Sequence, residues 1–346
     1  MAETSQGPYP RPKRRTSMAD VAKHAGVSTQ TVSRVANGLA NVEDVTRERV
    51  LHAMRVVGYR PNRAARALRT GRFRNIGVTM FNLSSYGNMR TLDSIAVAAS
   101  RAGYSITLMP VEHPTQRNVS SAFANLLEQA VDGFILVVEA HLIDNAELEI
   151  PAGLPVVVID SLAREDYPVV DNDQVEGARL ATQHLLDLGH ATVWHVAGPH
   201  LSHAATRREE SWRATLTAAG RAVPPVLRGD WSTASGYEVG LDLAEQSDVT
   251  AVFAGNDQMA LGVMQALHER GRQVPDDVSI VGYDDLAEAG YFWPPLTTIH
   301  QHFESVGQRS IEILIDEVEN GRVTPMLSIV PVRLVVRGST APYSAR

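Results

Sequence analysis

The chain has 346 residues, 44% hydrophobic and 21% charged, a balance that suits a folded globular protein of two or three domains and excludes wholesale disorder. It contains no cysteine, which removes disulfide frameworks, cysteine-based zinc sites and thiol catalysis together. The net charge of −7 hides a split: residues 1–74 carry 15 Lys and Arg against 5 Asp and Glu, a net +10, and the remainder carries −17.

Such a split predicts a polyanion-facing head on an acidic body. No apolar run is long enough to span a bilayer, and the N-terminus lacks the apolar core of a secretory signal, so a cytoplasmic location is expected.

Residues 1–15 contain Gly7, Pro8, Pro10 and Pro12 before Lys13-Arg14-Arg15, which predicts a disordered basic arm. Residues 16–59 read as three short helices. The first covers about Met18 to His24 and stops at Gly26. The second starts at Ser28, an N-cap residue, and runs to Asn37-Gly38. The third runs from about Asp44 to Val57, with Val45, Val50, Met54 and Val57 at helical spacing, and ends at Gly58. Small Ala25 and Gly26 let two helices cross closely, and Val27 and Val32 fill the space between them. This is a helix-turn-helix pattern that leaves Thr29 and Gln30 free to enter a major groove. Gln pairs bidentately with adenine and Arg with guanine. Residues 60–74 hold six Arg and form a basic linker with helical potential.

From Asn75 short apolar runs alternate with amphipathic stretches: Ile76–Met80, Tyr104–Met109, Phe134–Val138, Val156–Asp160, Thr192–Ala197, Val252–Ala254 and Val278–Tyr283. This alternation predicts an α/β body of two doubly wound units, with ligands at the carboxyl ends of the strands. Polar and aromatic residues suited to a polyhydroxylated ligand collect at such ends and nearby: Asp160, Asn256, Asp284, Gln301 and Arg208 for hydroxyls, Trp231 and Phe303 for C–H faces. Phe81 would shape one wall. Asp257 and Asp285 read as helix caps rather than ligand contacts. His184, His190, His195, His200 and His203 fit no metal-site spacing and are expected as scattered surface residues. No metal or cofactor is expected. Gly-x-Gly-x-x-Gly, Walker, Gly-x-Ser-x-Gly and zincin patterns are missing, which argues against an enzyme.

Thr31-Val32-Ser33-Arg34-Val35-x-Asn37-Gly38 and Gly58-Tyr59-x-Pro61-Asn62-x-Ala64-Ala65-x-x-Leu68 carry a specific likeness. On these motifs the chain resembles the lactose-repressor (LacI/GalR) family of transcription factors over residues 16–340. The resemblance implies that Thr29, Gln30 and Arg34 read bases. Ser28, Thr31, Ser33, Asn37 and Asn41 would approach phosphates. Asn62, Ala65 and Leu68 would belong to a hinge helix in the minor groove, where an apolar wedge can unstack a base step. Glu43 departs from the Ser or Thr common there in the family. The resemblance also implies a helix-turn-helix domain at 16–59, a hinge at 60–74 and an effector-binding and dimerisation domain at 75–340. Its two periplasmic-binding-protein-like subdomains would cover about 75–171 with 303–330, and about 172–302 with 331–340. The pocket residues named above match the family's effector contacts. The expected protein is a homodimeric repressor of a near-palindromic operator, released by a carbohydrate such as a galactoside or plant-derived oligosaccharide. A purine or other small-molecule co-repressor, a phosphorylated partner protein and a sugar-transport binding protein are the other readings. The C-terminus has no leucine heptad, so a tetramerising coiled coil is not expected.

Overall fold

The computed structural model describes residues 16–37, 39, 41–60, 71–81, 85–111, 121, 124–137, 153–159, 167–321 and 326–344. The chain forms two compact units, Met1–Phe73 and Arg74–Arg346.

In the first unit α1 (Met18–Ala25) opens with a reciprocal cap. The Ser17 hydroxyl accepts from the Asp20 amide, and the Asp20 carboxylate accepts from the Ser17 amide at 2.8 Å. Gly26, at φ 63°, ends the helix in the left-handed region. The Ser28 hydroxyl then caps α2 (Thr29–Ala36) by accepting from the Thr31 amide at 3.1 Å. The third helix, α3 (Asp44–Val57), begins at Glu43 without a side-chain cap bond and ends at Gly58. Val21, Ala22, Ala25, Val32, Val35, Val50, Ala53 and Met54 close one small core. Val45, expected in the apolar stripe of α3, is instead 76% exposed. Five residues at about 100° each put it roughly 140° around the helix from buried Val50, on the solvent side.

The second unit runs β1 (Asn75–Phe81), α4 (Tyr86–Arg101), β2 (Ser105–Val111), β3 (Gly133–Val137), β4 (Val156–Ile159) and β5 (Val169–Asn172). It continues through α5 (Gln174–Asp187), β6 (Trp194–Ala197), α6 (His203–Ala218), β7 (Leu227–Arg228), α7 (Thr233–Ala244), β8 (Ala251–Ala254) and α8 (Asp257–Glu269). Last come β9 (Ser279–Asp284), β10 (Thr297–His300), α9 (Phe303–Asn320), β11 (Leu327–Val330) and β12 (Arg333–Val335).

These strands make two six-stranded sheets, ordered β11-β5-β4-β3-β1-β2 and β12-β10-β9-β8-β6-β7. All strands of the first are parallel; in the second only β12 runs antiparallel, against β10. Helices α4 and α9 pack together on the first sheet, over Ile76, Val78, Ile135 and Val157. Buried Glu317 of α9 accepts from the Val156 amide of β4 at 3.0 Å. On the second sheet α5 and α6 cover one face through Ala181, Leu185, Trp212 and Leu216, and α8 covers the other through Met259, Val263 and Leu267. The chain crosses between the two lobes three times: from β5 to α5, from β10 to α9 and from β11 to β12. Among the described residues no helix is long and apolar enough to cross a membrane, and no His, Asp and Glu cluster could hold a metal ion.

The histidines depart from the surface placement expected of them. His190, His195 and His203 are buried, His184 is half-buried, and only His200 is exposed. His195 lies on β6, where a parallel strand covered on both faces has no solvent side. Its Nδ1 meets the Phe253 carbonyl at 2.9 Å and its ring stacks on Phe253 at 4.6 Å. Burial pushes its pKa down to about 4, so it is neutral at pH 7.

Helices α7 and α8 touch backbone to backbone through glycines. A Cβ on Gly262 would stand 2.1 Å from the Thr233 carbonyl, and one on Gly236 would stand 2.3 Å from that of Met259. Gly262→Ala therefore forces the pair apart and is expected to cost about 1–3 kcal/mol, read as a lower midpoint in denaturant unfolding.

Candidate functional site

The first unit presents a candidate nucleic-acid surface at the start of α2. Thr29 and Gln30 are exposed in its first turn, and Arg34 is half-buried one turn further on. Ser28 and Thr31 hydroxyls lie 2.9 Å apart, and the Asn37 amide donates to the Ser33 carbonyl and, at 3.2 Å, to its hydroxyl. These four side chains thus hold the ends of α2 while keeping hydroxyl and amide capacity for a further partner. Asn41 is exposed just before α3. Asn62, Ala65 and Leu68 lie outside the described residues.

In the second unit a cavity of about 660 Å³, its open mouth included, is lined from both lobes. The first lobe and the β10–α9 crossover bring Tyr86, Thr91, Asn172 and Phe303; the second lobe brings Gln174, Arg208, Trp231, Asn256 and Asp284. Arg208, Trp231, Asn256, Asp284, Gln301 and Phe303, six of the residues expected to touch an effector, all border it. Asp160 lies outside the described residues, as does the side chain of Phe81.

Arg208 organises this cavity. It is buried on α6, and Nε donates to Gln174 Oε1 at 2.9 Å while Nη1 donates to the Gly255 carbonyl. Its guanidinium lies 3.6 Å from the centroid of the Tyr283 ring and 3.9 Å from Asp284 Oδ1. Neither of the Glu residues beside it on the helix is its partner; Glu209 pairs with Arg213 and Arg228. Gln301 donates to Asp284 Oδ1 at 2.6 Å, and its own carbonyl accepts from Gln174 Nε2 at 3.3 Å. Gln174 and Gln301 sit at the first and second crossovers, so this amide pair ties two of the crossovers to Arg208 and Asp284. Burial pushes the Asp284 carboxyl up to about 6, against the opposing pull of Arg208 and Gln301.

The turn carrying Asp284 is strained, with Asp284 at φ 108° and Asp285 at φ 55°. It is braced by the two residues expected to cap helices. Asp257 is fully buried; its carboxyl accepts from the Thr298 hydroxyl and, at 2.8 Å, from the Leu286 amide. Burial and the nearby Asp284 charge hold it well above the usual carboxylate range. Asp285 takes Arg337 at 2.6 Å and His300 at 2.8 Å. The cap of α8 is Asn256, whose Oδ1 accepts from the Met259 amide at 2.8 Å. Its Nδ2 donates to the Trp231 carbonyl at 3.0 Å and so holds Trp231, itself at φ 75°, at the cavity edge. An Asx cap one residue earlier in the chain satisfies the helix, which frees Asp257 for the loop.

Sequence reasoning missed Gln174, Asn172 and Tyr86. A polar strand end running into a capped helix, Asn172-Asp173-Gln174, carried a local signal, with Asp173 accepting from the Glu176 amide at 2.9 Å. Tyr86, edge-on to Phe303 with centroids 6.1 Å apart, had none.

The head and the cavity-bearing body each have counterparts among known proteins. Residues 17–62 match the family described as bacterial regulatory proteins, lacI family, and residues 182–340 match the periplasmic binding protein-like domain. The lactose operon repressor of Escherichia coli (strain K12) is 35% identical over 93% of this chain and 89% of its own length. The crystal structure of the lac repressor dimer bound to operator and the anti-inducer ONPF superposes with a TM-score of 0.83 at 34% identity, covering 95% of this chain and all of that one. The HTH-type transcriptional repressor PurR of Haemophilus influenzae (strain PittEE) is 33% identical over 86% of this chain and 90% of its own length. A complex of the transcriptional regulator CelR with cellobiose has a TM-score of 0.68 at 30% identity, covering 94% of this chain and all of that one. With a matching head, a matching two-lobed body and identity sustained along nearly its full length, the chain belongs to the lacI family of transcriptional regulators.

Proposed function

We propose that this chain is a repressor that binds a two-fold operator as a homodimer and is released from it by a small carbohydrate. The observation that carries the reading is the buried cluster of Arg208, Asp284, Gln301 and Gln174 at one cavity, with Phe303, Tyr86 and Trp231 around it. A guanidinium, a carboxylate and amides suit vicinal hydroxyls, and aromatic faces suit the C–H side of a sugar ring. Cellobiose in CelR and the name of the lactose operon repressor fit a sugar, while PurR stands among the relatives as well, so the choice of a carbohydrate rests on the cavity chemistry.

For the head, exposed Thr29 and Gln30, half-buried Arg34 and the net +10 of residues 1–74 support major-groove reading with strong phosphate attraction. A single head reads half a site, which calls for two copies. Tyr291 and Trp293, 90% and 95% exposed on one loop of the body, are apolar surface of the kind a dimer covers. Arg34→Ala is expected to lower operator preference by about 1–3 kcal/mol while salt-sensitive binding to random duplex persists. Competition between a duplex selected from a random library and unselected duplex measures this; an unchanged preference removes Arg34 from base reading.

For the pocket, a hydroxyl donates more strongly to an ionised carboxylate than to the neutral acid, whose carbonyl oxygen is a weaker acceptor. With its pKa raised to about 6, Asp284 loses its charge as pH falls through that value. Sugar affinity is therefore expected to be lower at pH 5 than at pH 7, by up to about tenfold, since one pH unit below the pKa leaves roughly a tenth of the group ionised. Asp284→Asn should weaken binding at pH 7 and abolish that pH dependence. Titration calorimetry at both pH values checks the sign.

Coupling between the two sites separates release from co-repression. If sugar releases operator, saturating operator must weaken sugar binding by the same factor. A sugar titration with and without operator reads this directly. Equal dissociation constants reject an effector role, and tighter binding with operator present means a co-repressor.

A further inference from the structure

We propose that Asn172 is a specificity-determining ligand contact, its side-chain carbonyl accepting a hydroxyl proton of the effector. The proposal rests on reading the cavity as a carbohydrate site. Asn172 ends β5, is 6% exposed and borders the cavity. Its Oδ1 is buried and has no hydrogen-bond partner among the described residues. Its neighbours along the chain are engaged: Asp171 Oδ1 accepts from Gln174 Nε2 at 3.3 Å, and Asp173 caps α5.

A buried carbonyl oxygen without a donor is a net cost to the folded state, and native structures keep few of them. A packing role would be met as well by an apolar residue of the same shape, without that cost. The cost is recovered if a donor arrives with the ligand. A carboxylate or ether oxygen cannot supply it; a hydroxyl can. The position adds a consequence. Asn172 is the last residue of the first sheet before a crossover, and Gln174, two residues on, contacts Arg208 and Gln301 in the second lobe. A hydroxyl held by Asn172 while its neighbours meet Asp284 links the ligand to both lobes beside the first crossover. Discrimination follows from the same chemistry, because a site that must satisfy a buried acceptor rejects the analogue lacking that donor.

The test uses the full-length protein with Asn172→Leu, which keeps the shape and removes the polar atoms, and Asn172→Ala as a second variant. Each is followed by thermal melting and by calorimetric titration with D-galactose, lactose, cellobiose, D-ribose and hypoxanthine. A wild-type sugar ligand is then compared with its monodeoxy analogues. The expected result is a melting temperature for the Leu variant equal to or above wild type, with sugar affinity at least about tenfold lower. One deoxy analogue should bind wild type and variant alike. Unchanged affinity in a folded variant, or a lowered melting temperature with affinity intact, overturns the proposal and leaves the carbohydrate site standing. If no sugar binds wild type, the carbohydrate reading fails and the proposal with it.

Discussion

A guanidinium buried in the second lobe is the constraint on which the cavity depends. Taking a charge out of water costs several kcal/mol per ion after relaxation, so Arg208 is tolerable only if its donors are met and its charge is balanced. The Gln174 carbonyl, the Gly255 carbonyl, the Tyr283 face and Asp284 do this together. Each arrives on a different element. Gly255 follows β8, Tyr283 and Asp284 end β9, and Gln174 opens α5. Satisfying one arginine therefore aligns the carboxyl ends of two strands and a crossover segment, which is where a doubly wound sheet presents its ligand site.

The same accounting explains the strain in the Asp284 turn. Two consecutive non-glycine residues at positive φ are unfavourable, and the surroundings over-determine them. The Asp257 carboxyl holds the Leu286 amide just beyond the turn. Arg337, from the C-terminal segment, holds Asp285 while donating to the Leu296 carbonyl. The chain end thus buttresses the pocket from behind. Close glycine packing of α7 on α8 has a related effect, because it sets the start of α8 and with it the Asn256 side chain that positions Trp231.

Effector control of a two-lobed body needs a ligand that binds one lobe arrangement better than another. The geometry supplies differential contacts at the right place. Gln174 and Gln301 lie on two of the three crossovers, hydrogen-bond to each other, and touch Arg208 and Asp284 in turn. A ligand that competes for these amides acts on the crossovers between the lobes rather than on one lobe remote from them.

The sequence by itself determined the three head helices and seven of the strands, because their signals are local. Ser28 caps a helix, Gly26 and Gly58 end helices, and a strand covered on both faces reads as a continuous apolar run such as Phe134–Val138. It also pointed to Arg208, Asp284 and Gln301 through their positions on a helix and at strand ends. What it could not carry was long-range. β5 and β10 are four residues long, and Asp171-Asn172 in the one and the prolines before the other mask them; they exist as strands because neighbours pair with them. Val45 and the buried histidines His190, His195 and His203 depart from expectation because burial is decided by which face another element covers, not by residue type. Asn256 took the cap expected of Asp257 for a similar reason. Either could cap α8 on local grounds, and only the arrival of Thr298 and Leu286 from distant segments turned Asp257 inward. The partner of Arg208 was likewise open, with Glu residues beside it in sequence and Gln174, Gly255, Tyr283 and Asp284 beside it only in space.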